Sequence, residues 1–158
     1  MQLKREVDKL FRPLIGQKAW GASVGHGSFV TIEFGPRRLD HHHYHGEWHL
    51  WLYLCDWELR SKNRLLAHSE SKRKLMQLAV DNLNGLELRD IRFDSHRMAT
   101  EFAFDNNLLL QCKPYADAAP DEELWMLFMA DGQVAKLKGA ELKCEPADST
   151  PVARLARR

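Results

Sequence analysis

Apolar positions along the chain follow two periods. From Gln2 to Leu14, the residues Leu3, Val7, Leu10, Phe11 and Leu14 fall at helical spacing, and Pro13 interrupts the pattern just before Leu14-Ile15-Gly16. The rhythm returns from Ser69 to Leu83: Leu75, Leu78, Ala79 and Leu83 form the stripe, Ser69 or Ser71 offers a cap, and Gly85 offers a stop. Two short amphipathic helices are predicted, each closing on an L-x-G. After each L-x-G the period shortens to that of strands. Residues 19–24 and 29–34 flank a Gly25-His26-Gly27 turn, and residues 86–93 and 99–104 flank a polar turn at 94–97, so each helix leads into a hairpin.

A polar, irregular stretch then follows in both places, at 36–46 and at 114–120. Each is succeeded by a similar signature, Glu47-Trp48-His49-Leu50-Trp51-Leu52 and Glu122-Glu123-Leu124-Trp125-Met126-Leu127. The separation between matched positions widens slightly along the chain, and it widens in loops, where insertions are tolerated. The pattern predicts an internal duplication into pseudo-repeats 1–68 and 69–146, with Gly16 falling on Gly85 and Trp51 on Trp125. The second copy adds strands at 108–113, 134–138 and 141–144, the last two after an Asp131-Gly132 hairpin signal; the first copy has only 57–60 as a sequel. Short hairpin connections imply antiparallel pairing. The expected fold class is α+β, antiparallel and β-rich, as one compact domain over 1–146 made of two related helix-plus-sheet halves. Residues 147–158 hold little to bury and read as a mobile basic tail.

Composition narrows the functional classes. With 158 residues the chain is long enough to bury a core, and with 23 Lys plus Arg against 22 Asp plus Glu no global field steers it onto nucleic acid or an anionic membrane. Cys55, Cys112 and Cys144 are widely spaced and sit in strand-like text, which reads as reduced, buried thiols. The charged start, MQLKREVDKLF, does not resemble a secretory signal, and no apolar run approaches the ~20 residues that span a bilayer. The expectation is a cytoplasmic protein with no membrane partner.

The densest chemistry is in DHHHYHGEWHLWLYLCDW, residues 40–57, which holds His41, His42, His43, His45 and His49 beside Asp40 and Glu47. A shared metal needs ligands on one face. Along an extended strand His45 and His49 would lie about 13 Å apart, too far for one ion, and Glu47 stands at the wrong offset for H-E-x-x-H. In an extended loop His41, His43 and His45 alternate to one side at about 7 Å spacing, so they are the candidate ligands for zinc or nickel, with Asp40 as an added carboxylate. From Trp48 onward the text is apolar on both faces, Trp48, Leu50, Leu52 and Leu54 against His49, Trp51, Tyr53, Cys55 and Trp57, which predicts a central strand with His49 against an aromatic wall.

No catalytic signature stands out. G-x-S-x-G, P-loop, G-x-G-x-x-G and C-x-x-C motifs are all lacking, and Cys55 inside WLYLCDW reads as a core thiol. Basic residues cluster at Arg60–Arg64, at Lys72-Arg73-Lys74 and at Arg154–Arg158, which keeps an acidic partner, protein or nucleic acid, in view. Suitable contact residues lie in the first long loop, where Arg37, Arg38, His43, Tyr44 and Trp48 combine donors with aromatic anchors.

The run LNGLELRDIRF, MATEFAF, LLLQCKPY, EELWMLF and then Asp131-Gly132 resembles small bacterial proteins of the polymorphic-toxin immunity kind and related uncharacterised families, over residues 83–142. The resemblance implies a non-enzymatic cytosolic protein that binds and blocks a toxin or other effector. Two alternatives stay open: a metal-dependent enzyme using the His41–His49 loop, and a nucleic-acid or defence-system binding protein using the basic patches. Homodimer formation also stays open.

Overall fold

The computed structural model describes residues 1–40 and 42–147, and of Asp40 the backbone only. His41 and the expected basic tail beyond Ala147 lie outside the described residues.

Helix α1, Gln2–Phe11, buries Val7 and Phe11, with Leu3 and Leu10 packed against the core at its flanks. Pro13 falls in a single 3-10 turn, Arg12–Leu14, where a missing N–H costs little. Helix α2, Arg73–Asp81, buries a different stripe from the one its leucines suggest. Met76, Ala79 and Val80 face inward, followed by Leu83, while Leu75 and Leu78 are exposed. Neither serine caps it: Ser69 donates to Asp56 at 2.7 Å, and Ser71 accepts from the His68 N–H at 3.0 Å. The Arg73 guanidinium instead ties α2 to the strand turn beside it by donating to the carbonyls of Val24, Gly25 and Gly27.

Both L-x-G segments end in a glycine with positive φ, +88° at Gly16 and +85° at Gly85, a conformation other residues adopt at a cost. The two segments then pair with each other. Gly16 N–H donates to the Leu88 carbonyl (2.7 Å), and Gly85 N–H to the Ala19 carbonyl (2.8 Å). Ala19 N–H donates to Leu86 (2.8 Å) and Leu88 N–H to Gln17 (3.0 Å), around an antiparallel Lys18–Glu87 bridge.

Among the described residues all strand pairing is antiparallel, in two sheets and a small ribbon. The larger sheet takes β1 (Ala19–Val24), β2 (Val30–Phe34), β5 (Trp48–Leu52), β11 (Glu123–Met129), β12 (Gln133–Lys138) and β13 (Glu141–Pro146), in that spatial order. The smaller has the order β7 (Arg64–His68), β6 (Asp56–Ser61), β10 (Leu108–Lys113), β9 (Ala99–Phe104), β8 (Leu88–Asp94). Between β2 and β5 a two-stranded ribbon, β3 (Arg38–Asp40) and β4 (His43–His45), replaces the expected irregular loop. The main core lies between the sheets, where Trp57, Trp125, Phe34 and Phe102 are fully buried and Phe11 packs edge-on against both Phe102 and Trp125. Helix α2 packs on edge strands β1 and β7, and α1 on edge strands β8 and β13. Each helix thereby covers one open side of the sandwich, where unpaired strand edges would otherwise invite association.

Three expectations are corrected by this arrangement. Trp51 and Trp125 are not in matching places: β11 runs beside β5, pairing Met126 with Trp51, and the position next to β9 that would match β5 beside β2 is held by β10. The alternation from Trp48 to Trp57 breaks after Leu52, because the chain crosses to the other sheet there and carries Cys55 and Trp57 into the core. Cys55 and Cys112 are buried as expected, but Cys144 is exposed on edge strand β13.

Candidate functional site

Strand alternation builds the site. Val30, Ile32 and Phe34 of β2 point into the core, which sends Glu33 to the outer face of the larger sheet; Leu50 and Leu52 of β5 do the same for His49. In register, Glu33 stands opposite His49, and His49 opposite Phe128 of β11, so the three side chains form one row across three strands. Glu33 is nevertheless buried, with 6% of its surface exposed. A carboxylate there requires partners.

The ribbon supplies them. After β2 the chain turns at Gly35 (φ +81°), runs out through β3, and returns through β4 to Gly46. A Cβ on Gly46 would sit 2.3 Å from the Phe34 carbonyl oxygen, so glycine alone lets the strand pass this close. The close pass brings the Gly46 N–H 2.8 Å from Glu33 Oε2 and His45 Nδ1 3.0 Å from Glu33 Oε1. His49 Nδ1 is hydrogen-bonded to the same Oε1. An ionised carboxylate only accepts, so each ring presents its Nδ1 with a proton. Burial pushes the Glu33 carboxyl up, but hydrogen bonds from His45 and His49, the charge on His49 and the Gly46 N–H together outweigh it, and its pKa falls to about 2. The rings of His45 and His49 are 5.0 Å apart, and His49 also meets Phe128 at 5.7 Å and Trp51 at 6.1 Å. On this aromatic wall His49 Nε2 and Trp51 Nε1 are buried and find no hydrogen-bond partner among the described residues.

The expected contact residues divide. Arg38, His43 and Tyr44 are exposed on the ribbon. Tyr44 pairs across it with Leu39, and the two are 60% and 65% exposed, an apolar pair held out into solvent. Arg37 is laid over the Trp20 ring at 4.6 Å, while the Trp20 N–H donates to the Gly35 carbonyl. Trp48 packs against the main core and is no free anchor. Of the expected metal ligands, His43 and His45 do share a side of β4, with rings 6.4 Å apart, and His45 meets Glu33. The pairing of His45 with His49, excluded on strand geometry, is real because Gly46 ends one strand before the next begins. Glu33 is the residue sequence reasoning missed; its place in VTIEF, out of phase with Val30, Ile32 and Phe34, was the available signal.

Elsewhere the chemistry is quieter. Hydrogen bonding to Cys112 and burial push the Cys55 thiol up, which leaves it a poor nucleophile. Arg60 is paired with Glu58 and the Arg73 guanidinium is held by backbone carbonyls, so each basic cluster has one cation already engaged within the chain. No helix among the described residues is long and apolar enough to cross a membrane. Geometry and chemistry therefore carry the functional reading, because no family model, curated protein or solved structure matches the chain.

Proposed function

We propose that this is a non-enzymatic binding protein that docks a protein partner on the β3–β4 ribbon. The observation carrying this reading is the cross-strand Leu39–Tyr44 pair, exposed on a ribbon tied to the sheet through Glu33. A lone two-stranded ribbon is marginal in water, so the buried anchor at its base is what makes it a defined surface. Apolar and aromatic side chains displayed this way, with Arg38 and His43 beside them, suit the anchor-and-rim pattern of interfaces. The resemblance to immunity-type proteins makes a toxin or other effector the class of partner, and a cytosolic setting the natural one.

The experiment places a photo-crosslinking residue at position 44 in the native host, with position 75 on α2 as the comparison. One protein crosslinked at 44, and lost in a folded Leu39→Ser or Arg38→Ala variant, supports docking by the ribbon. Adducts at 75 alone, or adducts at 44 that both variants keep, overturn it.

We also propose that the fold is an internal duplication of 1–68 and 69–146 with exchanged strands, in which β5 corresponds to β10, β6 to β11 and β7 to β12. Support comes from the bonds between the L-x-G segments. Matching Gly16 with Gly85 and Ala19 with Leu88 turns the Gly16-to-Leu88 bond into the Gly85-to-Ala19 bond, as a twofold relation requires. The exchange explains why each helix packs on the first strand of the opposite half, α1 on β8 and α2 on β1.

A further inference from the structure

We propose that Glu33, His45 and His49 form a binding site for one divalent transition-metal ion of the zinc class. This goes beyond the docking reading and stands without it. One ligand atom from each residue lies within 4.8 Å of the others. Tetrahedral zinc, with bonds of about 2.0–2.2 Å, sets its ligand atoms about 3.3 Å apart. Glu33 Oε1 and His45 Nδ1 are already at 3.0 Å, so closing the set changes ligand-atom separations by up to about 1.5 Å, which side-chain rotation supplies.

The surroundings suit an ion better than an accidental cluster would. The three ligands come from three strands, β2, β4 and β5, two of them central in the larger sheet, so their positions are fixed before binding. Gly46 N–H holds Glu33 Oε2, which orients the carboxylate and leaves Oε1 toward the two rings, the role an outer hydrogen bond plays at a metal centre. A buried carboxylate facing two imidazole nitrogens is a place where cationic charge is already favoured. The ion takes the position between Oε1 and the two Nδ1 atoms that protons now occupy. Each ring then carries its proton on Nε2, and for His49 that N–H lies among the rings of Trp51 and Phe128. Two imidazoles and one carboxylate select zinc, nickel or cobalt over calcium and magnesium, which take oxygen ligands. The fourth position falls to water or to a group brought by a partner.

The test is calorimetric titration of zinc chloride into the full chain after chelator treatment, repeated with calcium chloride. The expected result is one zinc ion per chain, no comparable binding of calcium, and an affinity that drops by about tenfold or more in His45→Ala, in line with loss of a ligand. His43→Ala is the control and keeps the affinity. Circular dichroism checks the fold of each variant, and if His45→Ala is unfolded, cobalt bound to the parent replaces it as the readout, through visible bands of a tetrahedral nitrogen and oxygen set. Absence of saturable zinc binding, equal binding of calcium, octahedral aquo-like cobalt bands, or affinity lost with His43→Ala and kept with His45→Ala each overturns the site. None of these outcomes depends on a protein partner, so the ribbon's docking role stands or falls separately.

Discussion

Trp125 joins three layers of the fold, and its removal tests how the sheets meet. It is fully buried on β11, its N–H donates to Thr100 Oγ1 of β9 at 3.0 Å, and the Phe11 ring of α1 packs edge-on at 5.1 Å. Thr100 is itself fully buried, so its hydroxyl has no water to turn to. Trp125→Ala should cost about 3–5 kcal/mol in transfer and cavity terms. The orphaned hydroxyl raises that by about 1–3 kcal/mol. Together these approach the whole stability of a typical domain, about 5–15 kcal/mol, so the alanine variant belongs at the edge of folding. The quantitative variant is Trp125→Phe, which keeps an aromatic ring and removes the donor. Combined with Thr100→Val in a double-mutant cycle, it should give a coupling of about 1 kcal/mol, because the second change removes the group that the first leaves unpaired. Urea unfolding followed by far-ultraviolet circular dichroism measures it, and each kcal/mol corresponds to about 2–4 °C in melting temperature for a chain of this size. Strict additivity, with each single change costing what it costs alone, would refute the contact between β11 and β9.

Other outcomes follow from the same geometry. Gly46→Ala drives a Cβ to within 2.3 Å of the Phe34 carbonyl and should cost about 2 kcal/mol or more while releasing the ribbon, read as a lower urea midpoint with new proteolytic cleavage between β3 and β5. Glu33 has its pKa lowered from 4.5 to about 2 in the folded chain, so in chelator it contributes stability that is fully present above its unfolded value and is lost as pH falls from about 4.5 towards 2. That difference amounts to about 3 kcal/mol, and Glu33→Gln should flatten this limb of the stability curve; an unchanged acid limb would contradict the buried ion pair. Separately produced fragments 1–68 and 69–158 should each be poorly folded and should assemble on mixing, since each sheet takes strands from both. A fragment that folds alone would contradict the exchange.

Much of the framework is legible where period and turn chemistry agree. The α1 stripe, the hairpin at Gly25 to Gly27 and the Asp131-Gly132 turn, whose glycine adopts φ +83°, all occur where the residues predict them. The α2 stripe departs from the one that Leu75 and Leu78 suggest, because which face is buried depends on where β1 and β7 lie. β7, Arg64–His68, has too short and mixed a pattern to stand out and exists because β6 offers it an edge. The histidines were visible, but their partner was not. Glu33 is separated from His45 by a ribbon whose return is set by Gly46, and that close approach is a tertiary fact with no local period. The Trp51 and Trp125 signatures look alike because both belong to central strands of one sheet, and that setting alone favours apolar and aromatic residues.

The organisation of the histidine ribbon by Glu33 is tested most directly by amide hydrogen exchange at Gly46 and along β4. In the metal-free parent the Gly46 amide should be protected, since its N–H is held at 2.8 Å by a buried carboxylate oxygen. In Glu33→Gln that protection and the protection of His45 should fall together, while Leu50 and Leu127 in the neighbouring central strands keep theirs. Gly46 exchanging in the parent as fast as an unstructured amide would contradict it.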